Sequence, residues 1–597
     1  MGQAFKTART GCVYDSKAQA ERNGWNVSGA SIKDDKGRPI KLGQAYFEEN
    51  IVLDSTAPVS LFMRYGTETK YDEKDRAARI KVPFDLEKTS EEEKYSVTRN
   101  KYSIDDNKFT AESIDAKGNT TETVCDAKSN IISVSKYGLD TGNKKLAHAT
   151  YRYNAIGEMT EAYDSEGNEA KAEYDMLGRK VAIESRDSGR YIYEYGGDGK
   201  LQYESNTRLI AEGKRIGYFY DNFGRLSKID YPDTKETAYE YGNPDTSEKN
   251  ARGRLTRVSD SSGVTEYAYG KLGEIQEVKR TLAQKRNATL PEMTAVTKFE
   301  SNYLGQIESI TYPDNETVSY TYDDAGQVTS VKGMNGYETF NYADRIGYDE
   351  FGQRIYIKYG NGVETDYRYK KETRLLESIR TENAGGQLFQ NIKYSFDSAG
   401  NMESYVNNCK DMGNYETRQS YRYDSLYQLT GVDGFTDFNK YNISGTSTFR
   451  SNYSQSYEFD SIGNMKLKKS EEVIHTGTKN GDDLNYELNY VKDPLYAHRF
   501  ISIGDRYYKY DEVGNIIGEQ TGPYSDIQED SELIKSIGGN VYGVETAWGF
   551  YGDEEETDIR KAKKYHREYQ WDERNQLIRS KDNNAEVIRA NACKNSF

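Results

Sequence analysis

The chain has 597 residues with 81 Lys and Arg against 97 Asp and Glu, and its net charge of −16 excludes nucleic acid and anionic membrane as partners of the bulk surface. A mean hydropathy of −0.93 with 35% apolar residues points toward disorder, but 53 tyrosines point the other way, because tyrosine buries a large ring while its hydroxyl stays wet. That composition suits a thin sheet with water on one or both sides, and nine prolines with 52 glycines suit strands joined by tight turns.

From the N-terminus, Met1 to Arg9 hold two basic residues and no apolar stretch, and no later run reaches the length of a membrane-crossing helix, so neither a signal peptide nor a membrane span is expected. From Tyr71 onward one phrase recurs, Tyr-Asp-x-x-Gly followed by Arg, Asn, Gln or Glu. Together with near variants it runs from Tyr153 to Glu158, through Tyr163, Asp164 and Gly167, through Tyr174, Asp175, Gly178 and Arg179, and through Tyr220, Asp221, Gly224 and Arg225. Further copies are Tyr322, Asp323 and Gly326; Tyr348, Asp349 and Gly352; and Tyr510, Asp511 and Gly514. Phe replaces Tyr ahead of Asp397 and Gly400 and ahead of Asp460 and Gly463. Imperfect copies start at Tyr71, at Tyr423 and at Trp571 with Asp572.

Each copy reads as a turn with a mechanism. Asp at the first corner accepts backbone N–H groups further along, and Gly three residues later takes the positive φ that a side chain resists. Upstream, Tyr239-Glu240-Tyr241, Tyr320-Thr321-Tyr322 and Tyr367-Arg368-Tyr369 alternate as half-buried strands with one aromatic face. Downstream, an apolar residue returns six positions after the leading aromatic, as Met159, Leu226, Val328 and Leu577, where it can pair across a hairpin. Tyr231-Pro232-Asp233 and Tyr312-Pro313-Asp314 introduce the next outgoing strand, so a repeat is two strands and two turns. Asn575 in the Gly slot tolerates left-handed φ; Asp75 and Tyr427 fill the same slot, and Tyr fits it poorly, so those two turns are expected to differ in geometry. The predicted fold class is all-β, a repetitive antiparallel hairpin ribbon, and a repeat array shares one continuous core rather than dividing every 150 residues or so.

Chemistry is sparse. Cys12, Cys125, Cys409 and Cys593 lie far apart without Cys-x-x-Cys spacing, and His148, His475, His498 and His566 fall in separate repeats without metal spacing. Gly-x-Ser-x-Gly, His-Glu-x-x-His and a phosphate-cradling glycine loop are missing from the sequence. Charge runs such as Glu91-Glu92-Glu93 and Asp553-Glu554-Glu555-Glu556 read as solvated loops, and Lys561-Ala562-Lys563-Lys564 balances the latter and is too short for a nucleic-acid patch. The turn aspartates are assigned to their own turns, with no cofactor, no metal and no catalytic residue expected. A tyrosine-rich face that stacks on sugar rings is the second reading.

Tyr218-Phe219-Tyr220-Asp221-Asn222-Phe223-Gly224-Arg225-Leu226 resembles the YD repeat of bacterial RHS-repeat proteins, and the Tyr-Pro-Asp links resemble the same family. The resemblance covers about Tyr71 to Gln576, and Trp25-Asn26-Val27-Ser28-Gly29 with Asp34-Asp35-Lys36-Gly37-Arg38 is similar to the connecting stretch that precedes such blocks. It implies a ribbon spiralling into a hollow shell, as in RHS effectors, toxin-complex B and C subunits and teneurins, with residues 1–60 as connecting segment, 61–580 as shell and 581–597 as tail. It further implies a toxic polypeptide or RHS core as partner, in cis or in trans, and delivery by a specialised export route to the exterior or cell surface in competition with other cells. Family members continue into a core with an Asp-Pro-x-Gly-Leu segment. Here the nearest match, Asp493-Pro494-Leu495, lies among the repeats, so core and toxin are expected to be absent and the shell truncated. The rival to the shell is a cell-surface adhesin that binds carbohydrate.

Overall fold

The computed structural model describes residues 7–15, 18–50, 63–139, 141–142, 144–243, 250–283, 293–409, 415–442, 445–474, 485–524, 566–582 and 586–588. Two short helices occur among the described residues, neither reaching two full turns. Glu91–Lys94 is capped by Ser90, and Thr207–Glu212 is capped by Asn206 and closed by Gly213 at φ +67°.

Strands make up the rest of the regular structure. Thr7–Asp15, Ala20–Ser28 and Tyr46–Glu48 form a separate three-stranded sheet whose buried core is Val27, Ala30 and Tyr46. Every other strand belongs to one antiparallel meander from Ser31–Lys33 to Glu586–Ile588, each pairing with the one before and the one after. Pairing is thus local, as a chain of hairpins dictates. The stretch around Gly37, read as connecting sequence, is itself a hairpin, Ser31–Lys33 against Pro39–Leu42, which bonds to Thr67–Tyr71.

The ribbon has two edges. Turns such as 72–76, 175–179 and 221–225 lie on one, here the motif edge, and turns such as 115–119, 231–236 and 312–316 lie on the other, the linking edge. The two edges meet. Asp85 on the linking edge pairs with Lys370 on the motif edge at 3.2 Å, the Tyr427 hydroxyl donates to Asp115 at 2.5 Å, and Lys117 pairs with Asp397 at 3.3 Å. The series continues with Glu166 on Lys492 at 2.5 Å, Asp187 accepting the His498 N–H at 3.0 Å, and Glu573 accepting the Asp233 N–H at 2.8 Å. These pairs are 285 to 340 residues apart, apart from Lys117 with Asp397, which are slightly closer. The meander therefore winds back upon itself, and a seam joins the motif edge of the later winding to the linking edge of the earlier one. Between Asp85 and Lys370 lie about 23 strand spacings of ~4.8 Å, a perimeter on the order of 110 Å.

Candidate functional site

The functional element of this chain is the turn and what it grips. In the copy at Tyr220, Asp221 N–H donates to the Arg225 carbonyl at 2.8 Å and Gly224 N–H donates to the Asp221 carbonyl at 2.9 Å. Asp221 Oδ1 accepts the N–H groups of Phe223 and Arg225, and Oδ2 accepts Arg225 Nε at 2.7 Å. Tyr220 then stands opposite Leu226 across a bulge, six positions on. This is a type I turn closed by a left-handed residue.

The backbone bonds and both Oδ1 bonds recur at Asp175, Asp323, Asp349, Asp397, Asp460, Asp511 and Asp572, with the glycines Gly178, Gly326, Gly352, Gly400, Gly463 and Gly514 at φ between +75° and +95°. Asp164 and Gly167 form this turn too, but on the linking edge. At Tyr153 the corner is Asn154 rather than Asp, and its Oδ1 accepts the same two N–H groups. Asp75 and Tyr427, expected to bend their turns differently, do not: both sit at φ +65° and donate to Asp72 and Asp424 as Gly224 does to Asp221.

The residue after the turn is chosen by charge complementarity. Where the corner is Asp and the residue four on is Arg or Asn, that side chain donates to Oδ2, as Arg179 does at Asp175 and Asn515 at Asp511; where it is Gln, as at Asp349 and Asp572, Oδ2 is served from elsewhere, by Arg374 and Arg574. Where the corner is Asn, the partner is an acceptor, as Asn302 Nδ2 donates to Gln306 Oε1 at 2.7 Å. The Arg179 guanidinium holds the Asp175 carboxyl below the usual range, and the backbone N–H of Arg179 adds to the effect.

The motif tyrosine has a use of its own. Its hydroxyl donates to the first carbonyl of the preceding returning strand: Tyr174 to Met159 at 2.9 Å, Tyr220 to Leu201 at 2.8 Å, Tyr241 to Leu226 at 2.9 Å, Tyr322 to Ile307 at 2.6 Å and Tyr348 to Val328 at 3.0 Å. Trp571 Nε1 does the same to Ile516. Guanidinium groups cover the next ring, Arg179 over Tyr195 at 4.8 Å and Arg225 over Tyr241 at 4.2 Å. Each repeat is thereby tied to its predecessor through aspartate, arginine, ring and carbonyl. The sequence reading missed this. Its signal was the phenol, since the pairing face alone would be served by Phe, as at Phe396 and Phe459.

At the seam the turns do more than close hairpins. Tyr427 reaches Asp115 from the left-handed slot and Asn575 Nδ2 bonds the Tyr191 hydroxyl, while away from the seam Asp75 in the same slot bonds Lys36 and Arg38 of the neighbouring turn. Asp493-Pro494-Leu495 is a turn of the motif edge, with Leu495 N–H on Asp493 Oδ1. Asp349, beside a cavity of about 670 Å³ lined by Tyr46, Arg64, Phe351, Tyr369 and Arg374 among others, pairs with Arg374. Burial nevertheless holds the Asp349 carboxyl above its usual range, against the pull of that guanidinium. Burial also pushes the Cys12 thiol up to about 12.

His148 meets Ser135 and His498 meets Asn464, and among the described residues no cluster of His, Cys, Asp and Glu could hold a metal. His475, Cys593 and the charge runs at 553–556 and 561–564 lie outside the described residues. No described helix is long and apolar enough to cross a membrane.

The RHS Repeat family model matches residues 302–337. Toxin subunit YenC2 of Yersinia entomophaga is 30% identical over 191 residues, 28% of this chain and 19% of that protein. Toxin subunit YenC1 of the same organism is 30% identical over 163 residues, 24% of this chain and 17% of its own. The chain is an RHS/YD-repeat protein. It spans about a fifth of the length of these curated relatives. The crystal structure of TcdB2–TccC3 superposes on 98% of this RHS chain and 30% of its own length, with a TM-score of 0.70 at 16% identity. The Photorhabdus luminescens Tc holotoxin pore superposes on 96% and 29%, at TM-score 0.69 and 17% identity. At such identities the likeness is one of fold, that of the RHS shell.

Proposed function

We propose that this chain is wall: a section of a hollow RHS shell, without catalytic residues of its own, that encloses a toxic polypeptide and helps deliver it. The observation that carries this reading is the winding. A sheet closed on itself is filled by its own side chains at about eight strands, whereas one winding here takes about 23, which leaves a lumen. Support comes from the toxin subunits it resembles and from the structures of assembled toxin components that share its fold. The partner is a toxic component or RHS core, in cis or in trans, and the place of action is outside the producing cell or on its surface.

The carbohydrate reading gains no such support. Tyr241, Tyr322 and Tyr369, the rings a sugar platform would use, spend their hydroxyls on the carbonyls of Leu226, Ile307 and Arg354. The test is coexpression with a core-plus-toxin polypeptide followed by limited proteolysis. Protection of that polypeptide with this chain, lost on Glu573→Ala combined with Lys492→Ala, is the expected result. Equal cleavage with and without the chain would overturn the shell reading.

A further inference from the structure

Among the described residues, the motif edge is covered in the later winding and exposed in the earlier one. In the later winding one of the two residues between corner and glycine sinks toward the seam, Val513 at 8% exposure and Glu573 at 3%, with Phe351, Leu426 and Ile462 half-buried. Among the large apolar residues at these described tips, only Leu495 stays open. In the earlier winding the same two positions hold Ile156, Met176, Leu177, Phe223, Leu272 and Tyr303, all largely exposed; Met176 stands fully out of the surface and Phe223 is 72% exposed. They project from one edge, on five of its turns, and together exceed the scattered apolar exposure of an ordinary surface.

What covers a motif edge is already visible within the chain: a linking edge. Among the described residues the linking edge of the later winding is uncovered at its start, with Met334, Tyr337, Phe340 and Phe389 exposed around the turns at 336–337 and 383–387. One molecule therefore carries both halves of its own seam, one on each rim of the spiral.

We propose that the motif edge from Ile156 to Tyr303 is a docking surface for a second copy of this chain, which seats its later linking edge there and continues the winding. The contact is heterologous, head to tail, so it can propagate beyond a pair. Because each copy carries a net charge of −16, repulsion opposes it and added salt strengthens it. This inference rests on the seam and not on any cargo, so it stands or falls apart from the shell reading.

Sedimentation velocity of the full chain across a wide concentration range tests it. The expected result is a shift from monomer to dimer and larger species that grows with salt, and its loss in Met176→Lys, Leu177→Lys, Phe223→Lys combined. Leu495→Lys, an exposed tip on neither free edge, should assemble like the parent. A photo-crosslinking residue at Phe223 should capture peptides from residues 334–389 of an isotopically heavy copy. A chain monomeric at every concentration, a triple variant that assembles unchanged, or crosslinks that fall elsewhere would each overturn the proposal, whether or not cargo is protected.

Discussion

The turn at Asp221 and the turn at Asp572 share backbone bonds and both Oδ1 bonds of the aspartate, and they differ in what the turn tip touches. Phe223 of the first points into solvent, while Glu573 of the second is buried and accepts from Asp233 N–H and the Thr234 hydroxyl, a full winding away. Turn formation is therefore a property of the repeat, and seam formation a property of where the repeat falls on the spiral. Sequence variation in the two middle positions and in the glycine slot is how one turn serves both ends.

The largest expected effect follows from the buried tip. Removing the Glu573 carboxylate leaves two linking-edge donors without their charged acceptor, so Glu573→Ala should weaken the seam by about 2 to 4 kcal/mol. Its equivalent on the free edge, Asn222→Ala, should stay within about 0.5 kcal/mol. Hydrogen exchange at 231–236 and 572–576 separates the two, because it reports local opening rather than global unfolding. Equal protection in both variants would dissolve the distinction between seam and free edge.

Glycine substitution sharpens the contrast. Gly224→Val forces a β-branched residue to φ +78° and should cost about 1 to 3 kcal/mol. A Cβ at Gly514 carries similar strain and also falls 2.9 Å from the Asp187 carbonyl, whereas the Cβ at Gly224 meets only the mobile tip of Lys200. Asn, which tolerates positive φ, should thus rescue position 224 and fail at 514 in a denaturant titration. Comparable midpoints for the two Asn variants would argue against seam contact there.

Tyr427 shows why part of this was legible in the sequence and part was not. The hairpin period, the turn corner and the six-residue return are local, so Asp, Gly and the alternating tyrosines declare them within a dozen residues. The bond from Tyr427 to Asp115 joins residues 312 apart, and nothing in either neighbourhood marks it. Read alone, Tyr in a glycine slot signals a damaged turn; read with its partner, it is a turn that accepts strain to make a seam bond. The edge on which a copy lies was likewise hidden, since the phrase at Asp164 matches its neighbours at Asp175 while facing the opposite rim. Tyr427→Phe should therefore loosen the seam by about 1 to 2 kcal/mol with the turn intact, and Tyr427→Gly should recover part of that by relieving φ. Protease sensitivity at 115–119 that rises in both variants, more in Phe, is the expected pattern.

Acid should read the free-edge turns and the buried turn at Asp349 with opposite sign, and the effect is the smallest of the set. At Asp34, Asp126 and Asp175 the bond from Arg38, Asn130 or Arg179 holds the carboxyl below its ordinary 3.8. A depressed carboxyl contributes stability that is present above the unfolded value and lost as pH falls through the lower folded value, so these free turns should loosen only below pH 3.8. Asp349 at the seam is raised instead, burial being the largest cause, so its folded form holds a proton to higher pH. Its contribution runs the other way, fading as pH rises from 3.8 through the folded value. Asp349→Asn, which keeps the side chain neutral at every pH, should flatten the pH dependence of local exchange around 349–353 above pH 3.8 and leave the slope at 175–179 unchanged. An identical change of slope at both turns would mean that burial at the seam does not set the titration of Asp349.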